Sequence, residues 1–337
     1  MSNWEGVDKA ELHVHLFGAI PPRVLPELAR RHRVALPADT VEGLQKWFRF
    51  SDFAAFEQAF VTIAPCVQTA DDLELIGREF ARELAGQRVR YAEVMVSPAA
   101  VADSGIEICR QLEVLDRVGT WARDKLNVDL RWIFDIIRSL PDARRRRYAA
   151  DLTLEAALAG RAQGVVALGL SASEARYPPE QFAPWFERAR AAGLHSVPDA
   201  GEHAGPESVW GAIRALGAER IAHGVRALED PALVGYLAEH QIALDVCPTS
   251  NVRLGVYPSL AEHPLRRLMA AGVPVTVNGD DPTMFGVTLS DEVSTLGTEH
   301  GLDDGAISEI VANPPHEAGF VGTPDGFRFG FETHAAV

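Results

Sequence analysis

Short apolar, β-branched runs alternate along the chain with longer stretches in which apolar positions recur every three to four residues. The runs predict strands over 9–15, 89–96, 129–136, 165–170, 195–199, 220–223, 243–246 and 273–278. The stretches between them predict helices over 71–85, 107–125, 141–159, 179–192, 206–216, 231–240 and 263–271. Several of these helices open on Pro or Asp and stop before Gly, as starts and stops should. Eight strands alternating with helices match a (β/α)8 TIM barrel in number and order. A doubly wound open sheet is the alternative, but no GxGxxG turn follows the first strand. Residues 17–70 form a long excursion between the first two strands. Its apolar positions (Val24, Leu25, Leu28, Trp47, Phe48, Phe50, Phe53, Phe56, Phe60) predict extra helices lying as a lid over the C-terminal mouth. Aromatics at helical spacing are more often core than ligand cage, and the core reading is weighted above the cage. Residues 313–337, rich in Gly, Pro and Phe, form a tail without an assignable pattern, and 1–337 reads as a single domain.

Composition narrows the class. With 47% hydrophobic and 23% charged residues over 337 positions, the chain is globular and long enough to bury a full core. A net charge of -15 repels phosphate backbones and argues against a nucleic-acid partner. The basic run from Arg144 to Arg147 reads as a solvated helix face. Three widely spaced cysteines, Cys66, Cys109 and Cys247, suit a reducing compartment and offer no CxxC metal site. The start lacks the order of a signal peptide, and no apolar run reaches membrane-spanning length. A cytoplasmic protein with no membrane partner is the expectation.

Functional residues of such barrels sit where strands end. The predicted ends carry His13 and His15, then Asp199 and Glu202, His223, the Cys247–Asn251 run, and Asp280 with Asp281. Alternation places His13 and His15 on one strand face, able to converge on one ion. Buried acids and histidines are costly without partners, so their gathering at one rim makes a divalent metal the economical explanation.

The motifs KAELHVHL at 9–16, DAGE at 199–202, ERIAHG at 219–224, CPTSN at 247–251 and NGDDP at 278–282 resemble the adenosine deaminase family of the amidohydrolase superfamily. Within it the chain looks most like the aminodeoxyfutalosine deaminases. The resemblance implies one divalent metal, usually zinc, and a purine nucleoside as small-molecule substrate. His13, His15 and Asp280 match its ligand positions. Glu202 matches the acid that protonates purine N1, His223 the residue that orients the attacking water and helps deprotonate it, and Asp281 the group that binds N7. Burial of Glu202 against a purine would raise its pKa, as an acid requires.

Three positions depart from the family pattern. Asp199 stands where a third histidine ligand is usual. This leaves a retuned site of two His and two Asp, a weakened or metal-poor site, or a substitution introduced to impair turnover; impaired activity is favoured over a new chemistry. His195 and His203 are the nearby substitute ligands. Phe17 replaces an Asp that accepts a bond from the nucleoside 5′-hydroxyl. It favours 6-amino-6-deoxyfutalosine, an intermediate of menaquinone synthesis with an aromatic acid on its 5′ side, over adenosine. Packing beneath the lid is the equal alternative for Phe17. Arg49 and Arg253 are candidates to meet the substrate carboxylate. Ala172 stands where relatives use Gly to offer its N–H to purine N3. A catalytically weak or inactive purine-nucleoside-binding homologue is the second reading. A different amidohydrolase is disfavoured, because 165–174 holds no bridging Lys.

Overall fold

All eight expected strands form, and they pair in parallel in sequence order: β1 (Lys9–His15), β2 (Val89–Val96), β3 (Asp129–Ile137), β4 (Val165–Ser171), β5 (His195–Ala200), β6 (Arg220–His223), β7 (Ala243–Val246) and β8 (Val275–Val277). The computed structural model describes residue 4 and residues 6–50 and 52–312. The last strand is shorter than its apolar pattern because Asn278 has another task. Its Oδ1 accepts the backbone N–H groups of Leu12 (2.7 Å) and His13 (3.2 Å) and so stitches β8 to β1. The seam finishes with a parallel bridge between Val14 and Asp280, where His15 N–H donates to the Asp280 carbonyl at 2.8 Å. The ring is a (β/α)8 TIM barrel.

Strand alternation fills the interior in layers. Met95, Ile133, Ala167, Val197 and Ala222 make one apolar layer. Another layer is ionic: Arg220 of β6 donates through Nε to Asp245 of β7 (2.6 Å) and through Nη2 to Glu93 of β2 and the Leu12 carbonyl of β1. The outer strand faces pack against the helices in a continuous core that includes Val94, Phe134, Leu168 and Leu244.

The expected helices are present with adjusted ends. The 141–159 stretch starts at Ala143, after Asp142 accepts the Arg145 N–H as its cap. Arg145 pairs with Asp103 and Arg146 lies over the Tyr177 ring, so the basic run is a solvated face tied to its neighbours. The 179–192 stretch divides into a 3-10 turn, Pro179–Phe182, and an α-helix, Ala183–Ala191. The excursion folds as α1 (Leu25–His32), α2 (Val41–Trp47) and α3 (Phe53–Ile63) before α4 (Ala70–Gly86). Thr40 caps α2 and Asp52 caps α3. No helix among the described residues is long and apolar enough to cross a membrane. The tail expected over 313–337 lies outside the described residues.

Candidate active site

The β8–β1 seam brings together side chains 267 positions apart. His13 Nε2 stands 3.2 Å from Asp280 Oδ1, and His15 Nε2 stands 3.6 Å from the same oxygen. Ser250 Oγ donates to the other Asp280 oxygen at 2.6 Å. Burial opposes ionisation of Asp280, but the His13 bond and the His223, His13 and His15 rings hold its carboxyl well below the usual range. Two imidazole nitrogens crowded onto one ionised carboxylate oxygen are the donor set that a zinc-like divalent ion takes, so His13, His15 and Asp280 fit the implied metal. His223 adds a nitrogen within 4.8 Å of donor atoms on His13 and Asp280. Asp280 (φ 61°), His223 (φ 66°) and Ala172 (φ 73°) all adopt the left-handed backbone region that side chains disfavour. Each turns sharply where its strand ends, which concentrates backbone strain at this rim.

Asp199 is not brought into either group of metal-capable donors at the seam. Its Oδ1 is buried without a hydrogen-bond partner. Burial pushes its carboxyl well above the usual range; Arg138 opposes this, while Glu202, Asp280 and Asp135 add to it. Arg138 lies wholly buried across the ends of β4 and β5. It donates to the Leu170 carbonyl at 2.9 Å and to the Asp199 carbonyl at 2.5 Å. The two substitute ligands also lie elsewhere. His195, at the start of β5, pairs with Glu219, and His203 pairs with Glu202.

Glu202 is buried in a hydrogen-bonded frame. The Asn251 amide N–H₂ lies 3.3 Å from both Glu202 Oε1 and His223 Nδ1. Asn251 is itself oriented by His263, whose Nε2 lies 3.1 Å from Asn251 Oδ1 while its Nδ1 accepts the Leu265 N–H. Burial lowers the His263 pKa to about 3, so the ring is neutral and its Nε2–H is the donor. The raised pKa expected for Glu202 concerns its contact with a purine; the protein's own groups act on it in both directions. Burial pushes the carboxyl up, but the His223 and His203 rings outweigh it and hold Glu202 below its ordinary value.

The backbone carrying Glu202 is fixed by Glu174, which sequence reading missed. This buried carboxylate accepts the N–H groups of Gly201 (2.7 Å), Glu202 (2.9 Å), His203 (2.9 Å) and Ala204 (3.5 Å), and the Ser208 hydroxyl (2.5 Å). Glu174, Glu202 and His203 also bring donor atoms within 4.8 Å of one another. However, Glu174 spends its lone pairs on these donors, which makes the trio a scaffold, not a second metal site. Glu174→Gln places an amide N–H₂ against N–H groups that need an acceptor. The expected result is about a 10- to 100-fold loss in kcat, with faster amide exchange confined to 201–208. Wild-type exchange in that segment would contradict the anchor.

Asp281 follows the strained Asp280 and packs directly on Gly18. A Cβ on Gly18 would fall 1.7 Å from Asp281 Oδ1, so only glycine leaves this carboxyl its place. Burial raises Asp281 well above the usual range, and ionised Asp280 beside it adds to the effect. Phe17 is half-buried against the core, and Ala172 is half-buried at the same rim. Arg49 and Arg253 are exposed. Of the lid aromatics, Phe56 stacks on Phe285 (5.3 Å) in the turn after Asp281, whereas Phe53 covers the His203 ring (4.2 Å). The cluster is therefore mostly core, with one ring turned to the site. Two further buried carboxyls hold the rim from behind. Glu11 accepts the Gly279 N–H, and Glu292 accepts the Thr249 N–H; burial raises them to about 7 and about 8.

The family model described as adenosine deaminase matches residues 8–323. An aminodeoxyfutalosine deaminase of Streptomyces coelicolor is 40% identical over 330 residues, 97% of this chain and 84% of that protein. The crystal structure of an adenine deaminase from Arthrobacter aurescens superposes with a TM-score of 0.86 at 30% identity, covering 93% of this chain and 94% of the other. An amidohydrolase from Burkholderia ambifaria with bound zinc superposes with a TM-score of 0.85 at 25% identity, covering 94% of this chain and 87% of the other.

Proposed function

The chain belongs to the adenosine deaminase family, and from that footing we propose that it is a metal-dependent aminohydrolase that exchanges the 6-amino group of a purine nucleoside for oxygen. The observation that carries the reading is the meeting of His13, His15 and Asp280 with Glu202, His223 and Asp281 at the C-terminal rim. We read 1–337 as one hydrolase domain with 17–70 as its lid.

His13, His15 and Asp280 would hold one divalent ion, with zinc favoured by the zinc-bound neighbour. When bound, such an ion brings the pKa of water to about 7 and so supplies a nucleophile at neutral pH. The protein's own groups do the rest. His223, beside His13 and Asp280, would orient the attacking oxygen and help deprotonate it. Glu202 passes a proton to N1 as electron density moves there from C6. Asp281, whose carboxyl burial raises, would share a proton at N7 and set the plane of the ring. The lid would shield the site through Phe53, which covers the His203 ring, and through Phe56, which stacks on Phe285.

For the substrate, 6-amino-6-deoxyfutalosine is favoured over adenosine. Phe17 cannot accept a bond from a 5′-hydroxyl, and the Streptomyces relative is an aminodeoxyfutalosine deaminase over 97% of this chain. The isolation of Asp199 from the donor groups and the strained Ala172 in a glycine position favour low activity, and with it the second reading of a weak or inactive nucleoside-binding homologue.

The test is Asp199→His beside the parent chain, with bound zinc, ammonia release and loss of the adenine absorbance measured on adenine, adenosine and aminodeoxyfutalosine. The histidine form is expected to gain about 10- to 100-fold in metal affinity, with turnover rising in step. If both forms hold a full equivalent of metal and neither releases ammonia, the catalytic reading falls and the binding reading stands.

A further inference from the structure

His203 directly follows Glu202 and lies on the loop after β5. Its Nδ1 stands 2.9 Å from Glu202 Oε2, while Asn251 holds the opposite carboxylate oxygen. The His203 backbone is pinned at both ends. Its N–H donates to Glu174 Oε1 at 2.9 Å, and its carbonyl accepts from Arg226 Nη1 at 2.8 Å. The chain thus fixes the backbone from which the ring projects, and the Glu202 carboxylate and Phe53 are what the ring itself meets. Phe53 of the lid covers one face, and Nε2 is buried without a partner. Among the described residues, the one polar contact of this imidazole is the carboxylate assigned to proton delivery.

A carboxyl that must give a proton to N1 has to hold one, or have one in reach. The His203 imidazole is the group in reach of Glu202, 2.9 Å from its Oε2. The His223 and His203 rings draw the Glu202 carboxyl below its ordinary value against its burial. An imidazole shares a proton near neutral pH more readily than a carboxylate does. The charged groups around His203 favour its cationic form. Glu202, Glu174 and Asp280 are acids on that side, Arg226 reaches only the backbone carbonyl, and α3 presents the uncharged Phe53.

We propose that His203 is a positioning residue that stores the proton which Glu202 delivers to the substrate ring nitrogen. The inference rests on the deaminase reading above. In the step itself, the His203 Nδ1–H bond breaks as a Glu202 O–H bond forms. That O–H bond then breaks as N1–H forms, and the electron pair of the C6–N1 π bond moves onto N1 as the nucleophilic oxygen adds to C6. The attacking water brings two protons. One leaves with ammonia by way of His223, and the other returns to the Glu202–His203 pair as the 6-oxo group forms.

The experiment compares the parent chain, His203→Gln and His203→Ala, each checked for unchanged metal content and thermal midpoint. A stored proton is required in its bound form, so activity falls as pH rises through the titration of the pair. In His203→Gln the imidazole that can hold a proton near neutral pH is gone, and the carboxyl is left to titrate alone. Its alkaline limb should move at least about one unit down in pH, with kcat at neutral pH reduced about 10- to 100-fold and KM within about threefold. Added imidazole should restore part of the His203→Ala rate. An active parent whose His203→Gln form keeps both its rate and its alkaline limb overturns the inference and leaves the deaminase reading intact. A parent that releases no ammonia from any aminopurine overturns that reading instead, and the inference with it.

Discussion

Glu202→Gln should lower kcat about 10³-fold on the best aminopurine while leaving nucleoside affinity within a few fold. The substitution keeps the shape of the side chain and the backbone held by Glu174. It removes the only oxygen at this position that can pass a proton between His203 and a ring nitrogen. Asn251 still finds an acceptor in the Gln carbonyl, and His13, His15 and Asp280 are untouched, so metal content should equal that of the parent. The loss is then confined to the transition state, where negative charge grows on N1, and appears in kcat and kcat/KM alike. Ammonia release under saturating substrate and ligand binding by calorimetry make the two measurements. A loss smaller than about tenfold would mean that the ring nitrogen is protonated from elsewhere, and Glu202 would become a binding group.

The sequence located the barrel well because strand runs and strand-end motifs are local signals. His13 and His15 are two residues apart on one strand, and Asp280 ends another, so the fold alone brings them to one seam. What it concealed was pairing across distance. Glu174 is one acid among 47 until the loop 201–204 is seen wrapped around it. Arg138 follows an apolar strand and carries no motif, yet it is the guanidinium buried beneath Asp199, whereas Arg49 and Arg253, chosen for their position, point to solvent. Asp199 illustrates the limit most clearly. The resemblance put it at a ligand position while its shorter reach left a weakened site open, and only the fold shows that its neighbours are Arg138 and other acids. The charge on Glu202 depends on such pairing as well. Burial was foreseen, but two adjacent imidazoles outweigh it. His263 stood at the start of an expected helix, and only its contact with Asn251 gives it meaning.

Arg220→Leu should cost about 3–5 kcal/mol of stability, enough to lower Tm by on the order of 10 °C. Arg220 crosses the barrel interior and joins β6 to β7, β2 and β1, through Asp245, Glu93 and the Leu12 carbonyl. It and both acids are essentially inaccessible to solvent, with 1%, 0% and 0% of their side chains exposed. Burial raises the Asp245 pKa against the pull of Arg220, and burial lowers that of Arg220 less than the two carboxylates raise it. The guanidinium is thus the charge that keeps two buried carboxylates tolerable. Leucine fills much of the volume but leaves Glu93 and Asp245 facing each other's charge in a low-dielectric interior, with Tyr91 and Thr276 as remaining donors. Those acids must then take up protons to stay buried, so the destabilisation should lessen as pH falls. Replacing Arg220, Glu93 and Asp245 together with apolar residues of similar size should recover much of the loss, because the whole desolvation cost leaves with the charges. Thermal and urea unfolding of the single and triple variants decide the matter. A single substitution costing under about 1 kcal/mol would show that water reaches this layer and that the ionic bridge does not hold the strands together.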